Sequence, residues 1–454
     1  MVYTPKKAFV IGVGSTKFDK PRGERDYDAL GIEATVKALL DAGITYDAVE
    51  LATVGYVYGD STSGQRVLYT IGMTGIPILN VNNNCSTGSS AFVNSVQAIQ
   101  SGQADCALAL GFERMAPGSL SSPWTDRPSP IAGTFTQVLE IEDEKAYPTP
   151  EKGPSAARIF GAAGKEYCER YGATNEHMAK ISAKNHQHSA KNPYSQFRFA
   201  PSWQEVLNAR PITRELTLPM CSPTSDGGAA AIVASEEFVR KHKLEDRAIE
   251  IVGQAVATDS ARLYNDHSRI ELAGSDMARR ASEKAYKQAG IGPNDVQVIE
   301  LHDCFAPNEL ITYDALGLCK PGEAHHIVDK GDNTYGGKWV VNPSGGLESK
   351  GHPLGATGLG MIFYLTLQIR GEAGDLQVPN VRNALAHNLG LGGSCVVSIL
   401  RKPAFYRAGS TTASRAGYDV AREVRRVTRT ELDKVRAKQF SDYVPPAVEE
   451  RARL

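Results

Sequence analysis

The chain has 454 residues, 41% apolar and 22% charged, with a formal net charge of −1. That length implies two or three domain-sized units, and the balanced charge excludes the basic footprint of a nucleic-acid binder. No run approaches the roughly 18 unbroken apolar residues of a membrane span, and seven cysteines without repeated spacing fit neither a disulfide framework nor a closed zinc site.

In chain order, residues 1–7 carry no secretory pattern and lead into a strand-like run at 9–13. Gly12 and Gly14 there read as a turn. A helical segment follows and stops at Ala42-Gly43-Ile44, with glycine just past the last periodic residue. Residues 51–58 are apolar and β-rich, as expected of a strand buried on both faces. A small-residue helix start, Cys85-Ser86-Thr87-Gly88, then precedes an apolar helix at 91–100 and a strand at 106–110.

The pattern then breaks. Residues 119–245 begin with proline- and serine-rich loops, carry an acidic run at 140–144, and contain two helices, 158–171 and 175–189. Beyond them the first series returns. A strand at 249–253, a helix stop at Ala289-Gly290-Ile291, a strand at 298–305, a helix start at Gly355-Ala356-Thr357-Gly358, an apolar helix at 361–369 and a strand at 384–387 succeed one another. A glycine-rich turn leads to a last strand at 395–400, which buries Cys395. The tail after Lys402 is charged, with a helical stretch at 418–440, and reads as peripheral. It ends in Ala452-Arg453-Leu454, which resembles the small–basic–leucine peroxisomal import signal.

Strand–helix alternation of this kind implies an α/β fold with parallel-type sheets covered by helices. The repeat divides the chain into a first half (1–118), an inserted loop domain (119–245), a second half (246–402) and a tail (403–454). Two similar halves set back to back bring their corresponding helices together. Cys85 and His352 then share one neighbourhood.

Four short runs carry chemistry. Cys85 follows three asparagines at a helix start, where dipole and free N–H groups lower a thiol's pKa toward ~3.5–7.5. His352, in Gly351-His352-Pro353, is held in extended or turn geometry by the proline and can take a proton from a neighbouring thiol. His302-Asp303-Cys304-Phe305 ends a strand, where open α/β sheets place their chemistry. Asp303 reads as an acceptor for backbone donors, and Cys304 as a second thiol. His387-Asn388-Leu389-Gly390 leads into a glycine turn whose bare N–H groups suit an oxyanion hole. The histidine pairs His325-His326 and His186/His188 read as loop or helix residues, not metal ligands.

With these runs in order, the chain resembles the thiolase superfamily, in its sterol-carrier-protein form. The likeness extends from the first strand to about Lys402 and includes Pro223-Thr224-Ser225-Asp226-Gly227 and 342–346. It implies two pseudo-symmetric five-stranded, helix-covered halves with a loop domain. It further implies thiolytic cleavage of 3-oxoacyl-CoA, with coenzyme A as co-substrate and no other cofactor or metal, in a homodimer or homotetramer. By the same resemblance Cys85 is the acyl-carrying nucleophile, and His352 is its activator and part of one oxyanion hole. Asn388 occupies the place of the acid/base cysteine of most thiolases, and Cys304 takes over that work. His302 stands where other thiolases have a water-binding asparagine. The backbone N–H groups of Cys85 and Gly390 form a second oxyanion hole, with His387 alongside. A peroxisomal setting goes with this, its import receptor reading Ala452 to Leu454. Fewer residues follow Lys402 than a lipid-transfer module needs. Two other readings stay open: an aldolase or condensing enzyme of this fold acting on steroid CoA esters, and a non-catalytic acyl-CoA or lipid binder.

Overall fold

The computed structural model describes residues 5–116, 126–128 and 154–439. The acidic run at 140–144 and the terminal tripeptide lie outside them. Ten strands are built from the apolar runs: β1 (Ala8–Ser15), β2 (Leu51–Gly55), β3 (Ile78–Val81), β4 (Cys106–Glu113), β5 (Gly227–Ser235), β6 (Ile249–Ala257), β7 (Val298–Glu300), β8 (Val340–Val341), β9 (Asn383–Gly390) and β10 (Ser394–Arg401). β4, β5 and β9 are buried at every position, which is why β4 and β5 run apolar without alternation up to their ends, whereas β9 buries the polar His387 and Asn388.

The strand order is β3-β2-β4-β5-β1-β6-β10-β9-β7-β8. Read from either end toward the middle it is the same five-strand pattern. β2 pairs in parallel with β3 and β4, as β7 does with β8 and β9. The inner pairs of both halves are antiparallel. Each half of the sheet is therefore mixed, not simply parallel. The halves join through a short antiparallel contact, Phe9 opposite Glu250 and Val10 opposite Ile249.

Six helices matter for the site: α1 (Tyr27–Ala42), α2 (Thr87–Gln100), α3 (Ser155–Tyr171), α4 (Asn175–Ala190), α5 (Ser275–Ala289) and α6 (Leu354–Arg370). Gly43 ends α1 and Gly290 ends α5 in the left-handed conformation, at the two expected stops. α2 and α6 meet at their N-termini. A methyl group on Gly88 would lie 2.6 Å from the Gly355 carbonyl oxygen, so only glycine lets these backbones touch. The expected convergence of the two repeated helices is present.

Three expectations need correction. β5 lies between β4 and β1, so the first half resumes at Gly227 and the insertion does not run on to 245. Gly12 and Gly14 lie inside β1, not in a turn. The tail is not peripheral through 439, nor one helix. It forms two short helices, Thr412–Ala416 and Arg429–Val435, and buries Tyr418, Val420, Val427 and Leu432. Its Arg415 reaches the buried Asp41 of α1 at 2.7 Å, beside the 2.8 Å pair of Asp41 with Arg370 of α6.

Candidate active site

Cys85 sits two residues ahead of α2, in a turn that Asn84 permits by taking φ 51°, a conformation asparagine tolerates better than most residues. The Asn84 side chain donates to the Leu391 carbonyl at 3.0 Å, and Ser86 Oγ, whose proton goes to the Asn83 carbonyl at 2.9 Å, accepts from Ser394 Oγ at 2.9 Å. A methyl on Gly390 would fall 2.3 Å from the Asn83 carbonyl. The turn that holds the thiol is thus keyed into the hairpin joining β9 and β10. Val57, Tyr58, Met115 and Leu354 pack around Cys85 as an apolar wall.

His352 leaves the short π turn Gly346–Lys350 and is fixed at three points. Its N–H donates to Ser225 Oγ at 3.0 Å, Pro353 restricts its backbone, and its Nδ1 lies 2.8 Å from Thr357 Oγ1. The single Thr357 hydroxyl proton goes to the Pro353 carbonyl at 2.9 Å. Thr357 therefore accepts from Nδ1–H, which leaves Nε2 bare, and that nitrogen has no protein partner among the described residues.

A sulfur or nitrogen from each of Cys85, His302 and His352 comes within 4.8 Å of the other two, and all three residues are buried. The His302 and His352 rings stand edge to face, 5.1 Å between centroids. Cys304 is two residues beyond His302, buried, with its thiol pushed well up by burial first and by the Cys85 charge next. Asp303 accepts backbone donors as expected, from Leu347 at 2.7 Å and Glu348 at 3.4 Å, and so ties the His302 run to the turn leading to His352. Asn388 lies 3.0 Å from His302 Nδ1, and the buried His387 ring accepts the His302 N–H at 3.4 Å. The residues assigned from sequence therefore share one neighbourhood, and the Leu391 N–H, next to Gly390, bears on the Cys85 sulfur.

The thiol itself departs from expectation. Burial and the Glu113 charge push Cys85 up to about 12, against the lowering by the N–H groups of Cys85 and Leu391. Desolvation outweighs the helix terminus because the sulfur is enclosed before the helix begins. Burial also holds His352 down, to about 3. The resting pair is neutral: a thiol beside a bare imidazole nitrogen, able to pass one proton as the sulfur attacks.

Sequence reasoning left three supports unassigned. Glu113 accepts from Val57, Tyr58 and Gly355 N–H at 3.2, 3.0 and 2.8 Å, bridging β4 to the start of α6. Ser225 and Thr357 orient His352. Ser225 and Thr357 sat within noted motifs, and for Glu113 an acid ending an otherwise apolar strand was the one available signal. Three N and S donors so close would also suit a zinc-like cation. His186 and His188 are buried and hydrogen-bonded in α4, and His325 packs on His326 at 4.0 Å. A charged cleft of about 250 Å³ between Lys17–Arg25 and Val424–Arg426 is separate, since none of the reacting groups lines it.

A fold of two fused α/β halves with a thiol and imidazoles at their junction defines an acyl-transferring enzyme. Residues 8–201 match the thiolase N-terminal domain and residues 258–402 the thiolase C-terminal domain-like family. Sterol carrier protein 2 of Rattus norvegicus is 55% identical over 87% of this chain and 72% of its own length. The non-specific lipid-transfer protein-like 2 of Caenorhabditis elegans is 49% identical over 88% of this chain and 97% of its own. In fold it is similar to an Ltp2-ChsH2(DUF35) aldolase (TM-score 0.72, 24% identity, 88% and 98% of the two chains). It also resembles human mitochondrial 3-ketoacyl-CoA thiolase in complex with CoA (TM-score 0.64, 18% identity, 88% and 98%). The chain belongs to the thiolase family. It is an acyltransferase with acyl-CoA acetyltransferase chemistry, and its relatives are of the sterol-carrier-protein type.

Proposed function

We propose that this acyltransferase cleaves 3-oxoacyl-CoA with free CoA, giving acetyl-CoA, or propionyl-CoA from 2-methyl-branched substrates, and a shortened acyl-CoA. Cys85 is the nucleophile. His352 Nε2 takes the thiol proton as sulfur attacks the 3-keto carbon, and the C2–C3 bond breaks to leave an acetyl-CoA enolate and an acyl-Cys85. Cys304 protonates that enolate. The incoming CoA thiol gives its proton back to Cys304, its sulfur takes the acyl group from Cys85, and the released Cys85 thiolate recovers its proton from His352, so protons and thiols balance over the cycle. His352 and His302 face the thioester oxygen, and the N–H groups of Cys85 and the Gly390–Leu391 stretch face the keto oxygen.

The observation that carries this reading is the meeting of Cys85, His302 and His352 within 4.8 Å, with Cys304 two residues from His302. Incubation with a 3-oxoacyl-CoA should leave an acyl adduct on the Cys85 peptide, detected by mass spectrometry. Tight ligand binding with an unmodified peptide would favour the non-catalytic binder instead. Likeness to an aldolase in fold keeps that chemistry as the second reading, but an aldolase has no need of the acyl-carrying Cys85. Two further elements belong to the proposal: a homodimer or homotetramer, and a peroxisomal site of action that depends on Ala452 to Leu454. Removing the tripeptide should leave the enzyme in the cytosol when localised by fluorescence.

A further inference from the structure

We propose that Ser89 and Asn388 are positioning residues that lock His302 as the imidazole protonated on Nε2, the opposite tautomer to His352. The inference rests on the thiolase reading above and deepens it. Ser89 Oγ donates to Asn388 Oδ1 at 2.9 Å, which turns the amide nitrogen toward His302 Nδ1 at 3.0 Å. An amide –NH₂ only donates, so Nδ1 is the bare nitrogen and the proton resides on Nε2. All three side chains are buried, so water does not compete for these bonds.

The edge-to-face imidazoles then carry opposite polarity. His352 presents a lone pair, made so by Thr357, and suits the thiol proton. His302 presents an N–H and suits an oxygen gaining negative charge. The relay spans both halves: Ser89 is on α2, Asn388 on β9, and His302 follows β7. A reversed amide would give His302 Nδ1 a carbonyl acceptor, draw the proton there, and face the developing oxyanion with two lone pairs.

The test is ¹⁵N ring-nitrogen NMR of the full chain labelled in histidine, with the His302 signals identified by their loss in His302→Gln. His302 should read as Nε2–H in the wild type; an Nδ1–H signature overturns the relay. Asn388→Asp supplies only acceptors beside the ring. We expect about a 100-fold lower kcat near pH 8, the loss expected for one oxyanion donor. Activity should partly return as pH falls, because the aspartate favours the imidazolium, which regains Nε2–H. The wild type has no such limb, and a merely structural role would not create one. Ser89→Ala frees the amide, so mixed tautomers and about a fivefold lower kcat with unchanged KM are expected, the worth of one neutral hydrogen bond. Unaltered tautomer and kcat in both variants would refute the proposal. An Nε2–H signature in a wild type that forms no acyl-Cys85 would overturn the thiolase reading and leave the relay standing.

Discussion

Glu113 sits where the charge state of one buried carboxyl reaches both stability and the nucleophile. Burial pushes it up to about 8, against the pull of its three backbone donors. A carboxyl raised in the folded state keeps its proton there after the unfolded chain has lost it. Its stabilisation is complete below the ordinary value of 4.5 and is lost as pH rises through about 8. Across that window this group alone should cost about 1.4 kcal/mol of stability per pH unit. Glu113→Gln mimics the protonated acid, so denaturation at a series of pH values should lose that slope relative to wild type. The same change removes the charge that raises Cys85, so iodoacetamide labelling of Cys85 should climb at lower pH in the variant. Identical labelling profiles would separate Glu113 from the thiol. Cys304→Ala should lower kcat by about 100-fold or more, the worth of a general acid, while Cys85 still takes up acyl groups from substrate. Turnover near wild type would transfer the proton-handling role elsewhere. The reacting groups were legible in sequence because each stands at an element's end, Cys85 ahead of α2, His302 and Cys304 just past β7, and His352 between Gly351 and Pro353 ahead of α6. Their supports were not, because Ser89 with Asn388, Glu113 with Gly355, and Ser225 with His352 become neighbours only when α2 and α6 meet.

Among the elements, the segment after Lys402 acts as a strap across the first half. Asp41 lies at its anchor, buried, accepting Val13 N–H at 2.8 Å and facing both Arg370 and Arg415. One carboxylate thus joins β1, α6 and the strap. Removing it strands two buried guanidinium groups, so Asp41→Leu should cost about 3–5 kcal/mol in urea denaturation. The kcat of molecules that remain folded should hold, because the triad contacts none of the reacting groups. A loss of less than 1 kcal/mol would mean that water reaches the arginines. The tail's sequence is rich in charge and gave no sign of this, since the charges face both solvent and a buried partner 374 residues away. β5 was missed for a related reason. It repeats β10, but the insertion separates it from the rest of its half, so continuity along the chain pointed to the wrong unit. The strands and helix stops were readable because buried runs and terminal glycines are local signals.

At the scale of the whole molecule, the sheet is closed by packing at its centre and open at β3. That strand pairs only with β2 among the described residues, and its outer side is exposed, Leu79 at 48%. Met73 and Tyr69, at 39% and 38%, extend the apolar surface beside it. An exposed apolar edge invites pairing with another strand, and proteins that remain monomeric usually blunt such edges with charge or proline. β3 has neither, and a second copy of the same strand could satisfy it by antiparallel pairing about a twofold axis. The chain runs from β3 directly into Asn82-Asn83-Asn84-Cys85, so a partner at that edge would brace the nucleophile turn of both copies. With the self-association proposed above seated on this edge, Leu79→Lys should lower the oligomeric state seen in analytical ultracentrifugation. Its thiolysis rate should fall with the loss of that contact, even though the substitution touches neither thiol nor histidine. An oligomeric state unchanged by the lysine would exclude this edge as a subunit contact and free the Cys85 turn from any dependence on a partner there.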